Sequence, residues 1–432
     1  MEKFDVIVVG AGPAGLSAAY TLADKGLNVI VIERGDYPGA KNVMGGILYS
    51  QPASQIFPEF WKEAPLERPI IEENYWFLTE GSVTKMGHRN EKFGQEPYNA
   101  FSVFRAQFDK WMGEQVKKKG GLVICETVVE NIIKKDGKVI GVSTGRAEGD
   151  IYADVVVMAE GVNSMLTQEV LKMQTLYLKE DQLAVAVKEV IYLNEEKIED
   201  RFALEKGFGA TIEVIGDATK GMVGTAFIYT NKESISIGTG ALMSQLVKNK
   251  ISPNELLESF KNNPMVRPLI QGGETKEYAG HMIPEGGYNA MPKLYGNGVV
   301  IVGDAAQMVN GLHREGSNLA MISGKMAAET IIEASSKGDF SENGLASYQT
   351  KLENSFIIKD LKKYKNASDY FDHNPELFNL YPELASDAMY NFFRVDGTPK
   401  KEMQKKMMRD AFAKRSKTKI AKDLYNFWRV LV

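Results

Sequence analysis

The chain has 432 residues, 44% of them hydrophobic, with 52 Lys and Arg against 56 Asp and Glu and a formal net charge of −4. That length and apolar content suit two or three globular domains, and the near-balanced charge gives no electrostatic case for binding nucleic acid. Cys125 is the sole cysteine, which excludes an internal disulfide framework, a CxxC redox pair and a self-contained cysteine-ligated iron–sulfur cluster. Four histidines, His88, His281, His313 and His373, lack metal-ligand spacing, so no metal site is expected. Met1-Glu2-Lys3 leads straight into the first strand-like run, so no signal peptide is expected. No apolar run approaches the ~18–20 residues of a membrane span, and a cytoplasmic chain is expected.

Residues 4–9 read as a buried strand, Gly10-Ala11-Gly12-Pro13-Ala14-Gly15 follows at once, 16–24 reads as a helix, and a strand at 27–32 ends on Glu33-Arg34. Strand, glycines, helix, strand and acid in this order form the βαβ dinucleotide fingerprint. Gly10 permits the tight turn, Gly12 lets backbone N–H groups approach a pyrophosphate, and Gly15 lets helix and strand pack closely. The helix N-terminus favours negative charge there, and Glu33 is placed to bind a ribose hydroxyl.

Lys41-Asn42 and Gly45-Gly46 follow in a loop, and 51–100 reads as irregular and aromatic. Arg105 stands at the start of a helix over 106–119, which stops at three lysines and two glycines. Strands are expected at 122–126, 128–134, 138–144 and 151–158, with Asp136-Gly137 as a hairpin turn. Val128 lies where its backbone can meet an adenine edge, and the last of these strands runs into Glu160-Gly161. Segment 170–285 alternates strand-like and polar runs, with paired strands near 223–229 and 233–238, and reads as a mostly antiparallel domain. A buried strand at 299–302 runs into Gly303-Asp304-Ala305-Ala306, a turn whose carboxylate can hold a ribityl or phosphate-proximal hydroxyl. The helix expected at 316–336 points its N-terminus into the same region, where it can stabilise negative charge on a reduced flavin ring. The rest of the chain reads as helical.

The ordered set GAGPAG, ER, AKNVMGG, FRAQFD, AEGVNS and VGDAA resembles the FAD-dependent group that includes aromatic hydroxylases and geranylgeranyl reductases. Pro38–Gly46, His281–Tyr288 and Gly311–Ala320 are more similar still to the FixC branch, relatives of electron-transfer flavoprotein:quinone oxidoreductase. The resemblance spans nearly the whole chain. It implies an α/β fold: a Rossmann-like FAD-binding domain (1–75, 100–169, 286–345), an inserted, mostly antiparallel α+β quinone domain (76–99, 170–285), and a helical C-terminal region (346–432). It implies FAD held by Gly10, Gly12, Ala14, Gly15, Glu33, Arg34, Lys41, Gly45, Gly46, Arg105, Val128, Glu160, Gly161, Gly303 and Asp304, with Gly316 and Asn318 near the isoalloxazine. Many relatives have Asp-Gly where this chain has Glu160-Gly161.

The resemblance further implies electrons arriving from electron-transfer flavoprotein subunits (FixA/FixB-like). Relatives of the mitochondrial type carry a cysteine-rich ferredoxin-like domain that a one-cysteine chain cannot have, so a separate small ferredoxin-like protein (FixX-like) is expected. The acceptor is a quinone, menaquinone or ubiquinone, reached from the inner face of the cell membrane. No nucleophile is needed; His281, His313 and Glu315 are candidates for proton delivery. Residues 399–432 hold eleven Lys or Arg against three acids, interleaved with apolar and aromatic residues. Such a segment can rest on an anionic membrane, dock an acidic partner, or pack on the body as an ordinary helix. Rival readings are an isoprenoid double-bond reductase, whose PYxWxFP-type substrate motif has no match here, an aromatic hydroxylase, and a non-catalytic flavin electron carrier.

Overall fold

The computed structural model describes residues 3–41, 46–170 and 179–431. The fingerprint at the chain's start becomes the middle of a parallel sheet. Strand β1 (Lys3–Val9) is buried along nearly its whole length instead of alternating, as a strand covered on both faces must be. It pairs in parallel with β2 (Val29–Ile32) on one side and with Asp150–Met158 on the other. Helix α1 (Pro13–Asp24) starts directly after the glycine turn with Pro at its first position, where the missing N–H costs nothing. Helix α2 (Arg105–Lys118) leads to β3 (Leu122–Ile124), which pairs with β2. Strand β4 (Asp150–Met158) is followed by the short helix α3 (Met165–Val170), and β5 (Val299–Ile301) lies parallel to β4. The parallel core therefore runs β5-β4-β1-β2-β3, which leaves one strand, β4, between the Gly303 turn and the Gly10 turn. The expected hairpin also forms: Val129–Lys135 pairs with Lys138–Thr144 across Asp136-Gly137, both at positive φ.

Helix α4 (Ser317–Lys337) packs on α1 through Gly324. A Cβ added there would stand 2.1 Å from the Ala14 carbonyl oxygen. Ordinarily Gly→Ala inside a helix stabilises by up to ~1 kcal/mol. Here we expect Gly324→Ala to destabilise by about 1–3 kcal/mol, because two buried helices must part to admit the methyl group; denaturant titration of the variant checks the sign.

These elements belong to a first unit of residues 1–69, 93–183 and 281–365; residues 70–92, 184–280 and 366–432 make a second. The helical C-terminal stretch, expected as one region from 346, divides after 365. Tyr348 is fully buried and donates to the Ile301 carbonyl at 3.0 Å, which fixes its helix to the first unit.

The second unit is built on a sheet. Ser234–Leu242 pairs antiparallel with both Leu183–Tyr192 and Gly224–Thr230, and Gly209–Gly216 pairs antiparallel with Gly224–Thr230. Gly209–Gly216 also runs parallel beside the 70–78 portion of strand Leu66–Leu78. That strand and Val83–Arg89 correct the expectation of irregular structure across 51–100. Glu72, Glu73 and Asn74 interrupt the apolar pattern, yet Trp76 and Leu78 enter the second unit's core. The unit ends in three helices, α5 (Tyr381–Phe393), α6 (Lys400–Lys414) and α7 (Lys417–Leu431). Among the described residues no helix is long and apolar enough to cross a membrane.

Candidate functional site

Gly10 has φ +102°, and a Cβ on it would lie 2.3 Å from the Ala159 carbonyl oxygen at the end of β4. The turn is thus pressed against the neighbouring strand and delivers Gly12 as the N-cap of α1. The first intrahelical bond runs from Leu16 N–H to the Gly12 carbonyl at 2.9 Å. The N–H groups of Ala14 and Gly15 precede it and lie at the positive end of the helix dipole. Glu33 accepts from Ala11 N–H at 2.8 Å and Gly35 N–H at 2.7 Å, so its carboxylate ties the glycine turn to the end of β2. Arg34 beside it is exposed. Thr127 N–H donates to the Glu33 carbonyl and Glu126 N–H to the Gly35 carbonyl, each at 2.9 Å. The backbone just before Val128 is thereby held along the end of β2, and the Val128 side chain stands 55% exposed at that edge.

The facing wall comes from the chain's later third. Gly303 N–H donates to Ser323 Oγ of α4 at 3.0 Å, and a Cβ on Gly303 would meet the Ala14 methyl at 2.9 Å. The Gly303–Asp304 turn therefore lies against the first turn of α1. Arg105, the first residue of α2, is buried. Its Nε and Nη2 reach the two oxygens of Asp109 at 2.8 Å each, and its Nη1 reaches Ser317 Oγ at 3.0 Å. That links α2 to the N-terminus of α4, where Gly316 is the N-cap and Asn318 is buried. Burial works to lower the Arg105 pKa, but Asp109 and then Asp304 overcome it and hold the group above its ordinary value. Burial pushes the Asp304 carboxyl up to about 6, with Arg105 pulling the other way.

The Gly161–Asn163 turn packs on the Gly303–Ala306 turn. The Glu160 carboxylate instead caps α3, accepting from Leu166 N–H at 3.0 Å, Thr167 N–H at 2.7 Å and Thr167 Oγ1. Lys41 is exposed, and Gly46 is buried, its carbonyl accepting from Val103 N–H at 2.9 Å two residues before Arg105. Gly45 lies outside the described residues.

Glu315 and Asn318 stand at the α4 N-terminus, joined by an amide-to-carboxylate bond of 3.3 Å. With Tyr49, Gln51, Asn99 and Phe356 they line a cleft of about 240 Å³. Burial raises the Glu315 carboxyl, against the pull of Asn318 and His313. His313 is exposed and meets Tyr364 Oη through Nε2 at 2.9 Å. Burial lowers the pKa of His281, and Arg105 and Arg34 push it the same way.

Glu285 was not among the residues expected from sequence. Its Oε2 would lie 2.3 Å from a Cβ on Gly311, in the loop before α4, and burial lifts its carboxyl to about 7. A carboxyl whose pKa is higher folded than unfolded favours the fold below pH ~4.5 and loses that contribution as pH rises through 7. We therefore expect Glu285→Gln to match the parent near pH 4.5 and to exceed it by roughly 2 kcal/mol at pH 8.5, since the half-buried carboxylate is partly screened by solvent. Denaturant midpoints at the two pH values check this.

The described residues fit a dinucleotide. Two glycine turns that tolerate no Cβ face each other, two helix N-termini meet there, and a buried guanidinium and a half-buried carboxyl flank them. Asp109 and Ser317, which hold that guanidinium, were missed, although Asp109 stands at the i+4 spacing of a helical ion pair.

Comparison with known proteins gives the site a context. Residues 5–84 match the FAD dependent oxidoreductase family, and residues 367–431 match the ETF-QO/FixC family C-terminal domain. Protein FixC of Azorhizobium caulinodans is 49% identical over 432 residues, spanning 99% of each chain. Protein FixC of Azotobacter vinelandii is 45% identical over 431 residues, spanning 100% of this chain and 99% of its own. A geranylgeranyl bacteriochlorophyll reductase-like structure from Thermoplasma acidophilum aligns with a TM-score of 0.75 at 19% identity over 99% of each chain, a likeness of fold.

Proposed function

The chain belongs to the ETF-QO/FixC family of FAD-dependent oxidoreductases of electron transfer, and from that premise we propose that it carries electrons from an electron-transfer flavoprotein to a membrane quinone. The donor is a pair of FixA/FixB-like subunits, and the acceptor is menaquinone or ubiquinone. A small ferredoxin-like protein, FixX-like, stands between donor and chain. The observation that carries this reading is the pairing of two facing glycine turns with a single cysteine. A chain with one thiol holds no cysteine-ligated cluster of its own, so any iron–sulfur step falls to a separate protein.

FAD, when bound, supplies the redox chemistry. This chain's residues position and tune it. In this proposal the Gly10–Gly15 turn and the α1 N-terminus hold the pyrophosphate, Glu33 the ribose, and Arg105 and Asp304 the ribityl side. The α4 N-terminus at Gly316 and Asn318 meets the ring, where its dipole favours negative charge. Glu315, Glu285 and His281 can hold or release a proton at a carboxyl oxygen or ring nitrogen. The chain works at the cytoplasmic face of the cell membrane.

The test is reconstitution. Purified chain, reduced electron-transfer flavoprotein, the small iron–sulfur protein and a menaquinone analogue are expected to yield quinol together and not when any one protein is omitted. Absence of quinol from the complete mixture overturns the proposal.

A further inference from the structure

Helix α7 (Lys417–Leu431) carries two apolar stripes, and only one is used by the fold. The inward stripe holds Ile420, Asp423, Phe427 and Val430 at helical spacing, all buried or half-buried. It is pinned by Asp423, which is 6% exposed: Arg415 Nη2 reaches its carboxylate at 2.9 Å and Tyr381 Oη at 2.7 Å. Arg415 Nη1 also reaches Glu376 at 2.6 Å. These bonds fix the helix through one face.

The opposite face shows Ala421, Leu424, Tyr425 and Trp428, an i, i+3, i+4, i+7 set that would mark a core face were it covered. Instead Leu424 is 59% exposed, Tyr425 58% and Trp428 56%. The charges around it have one sign. Lys417, Lys419, Lys422 and Arg429 are exposed, and the only acid of the helix is the inward Asp423. The Arg429 guanidinium stands 5.9 Å from the Tyr425 ring, so the cation borders the apolar stripe.

We infer that this outward face of α7 lies on an anionic lipid bilayer, with Leu424, Tyr425 and Trp428 sunk to the headgroup–acyl boundary and Lys417, Lys422 and Arg429 on lipid phosphates. Tyr and Trp have apolar bodies and polar edges, which suits that depth. A helix flanked by cations alone, with no outward acid, complements a uniformly anionic surface. The inference deepens the proposed function by assigning the surface through which a soluble-faced protein reaches a lipid-dissolved acceptor.

The experiment uses the full FAD-loaded chain and vesicles of phosphatidylglycerol or of phosphatidylcholine alone. We expect salt-sensitive co-sedimentation with phosphatidylglycerol vesicles, and about tenfold weaker partition for Leu424→Ser/Trp428→Ser. Lipids brominated on the acyl chains are expected to quench part of the tryptophan emission, and Trp428→Phe to abolish that quenching. Reduction of a short-chain, water-soluble quinone analogue should be equal in parent and double variant, while reduction of a quinone embedded in vesicles should fall in the variant. Failure to bind phosphatidylglycerol vesicles, binding unchanged by the double variant, or a variant that loses affinity for a partner protein while keeping vesicle binding each overturns the inference. Loss of activity toward the soluble analogue in the parent would instead overturn the quinone reading.

Discussion

Gly10→Ala is expected to purify colourless. The residue sits at φ +102°, where an L side chain is strained by about 1–3 kcal/mol. The new methyl group would also stand 2.3 Å from the Ala159 carbonyl oxygen. That carbonyl cannot retreat easily, because Ala159 N–H is bonded to Val9 and Gly10 N–H to Ile32, both at 2.9 Å. The turn must therefore move, and with it the N–H groups of Ala14 and Gly15. Displacing backbone donors by a fraction of an ångström costs about 3 kcal/mol or more of cofactor affinity, over a hundredfold. Gly26→Ala is the control: φ is +81° there, but nothing lies within 4 Å of the added carbon. It carries strain without collision and should retain the flavin absorbance that Gly10→Ala loses. Circular dichroism of both variants separates cofactor loss from unfolding.

Arg105→Ala is expected to destabilise the first unit by about 3–5 kcal/mol, because it takes the compensating guanidinium away from a buried carboxylate. Asp109 is 0% exposed and both its oxygens are bonded to the guanidinium. The double variant Arg105→Ala/Asp109→Ala removes the buried carboxylate as well and should recover part of that stability. It should not recover cofactor binding, since the link from α2 to Ser317 at the α4 N-terminus is gone. Arg105→Lys should fold but bind FAD weakly, because one ammonium cannot span two carboxylate oxygens and a hydroxyl. Urea denaturation with flavin fluorescence on the three variants checks the sequence of effects.

The fingerprint and the Gly303–Asp304 turn were legible because their geometry is enforced by short-range backbone constraints. A tight turn at positive φ and an apolar strand beside it leave a pattern within a dozen residues. Arg105 was legible as a residue at a helix start and its ion pair with Asp109 stands at a readable i+4 spacing, but its bond to Ser317, 212 positions away, leaves no local trace. Glu285 was invisible for the same reason: nothing local announces that the Gly311 loop will press on its carboxylate. Glu160 shows the opposite case. Its place after a strand was right, but its oxygens cap α3 through Thr167, a local hydrogen-bond choice that an acid–Gly pair does not reveal. Strand Leu66–Leu78 escaped because Glu72, Glu73 and Asn74 break the apolar alternation that identifies strands.

A backbone cradle, closed by the chain's first turn and its later third, is predicted to hold one FAD. Gently purified protein, measured for flavin absorbance against protein concentration, is predicted to carry close to one FAD per chain. A preparation that is folded yet colourless, and stays so after incubation with FAD, would contradict it.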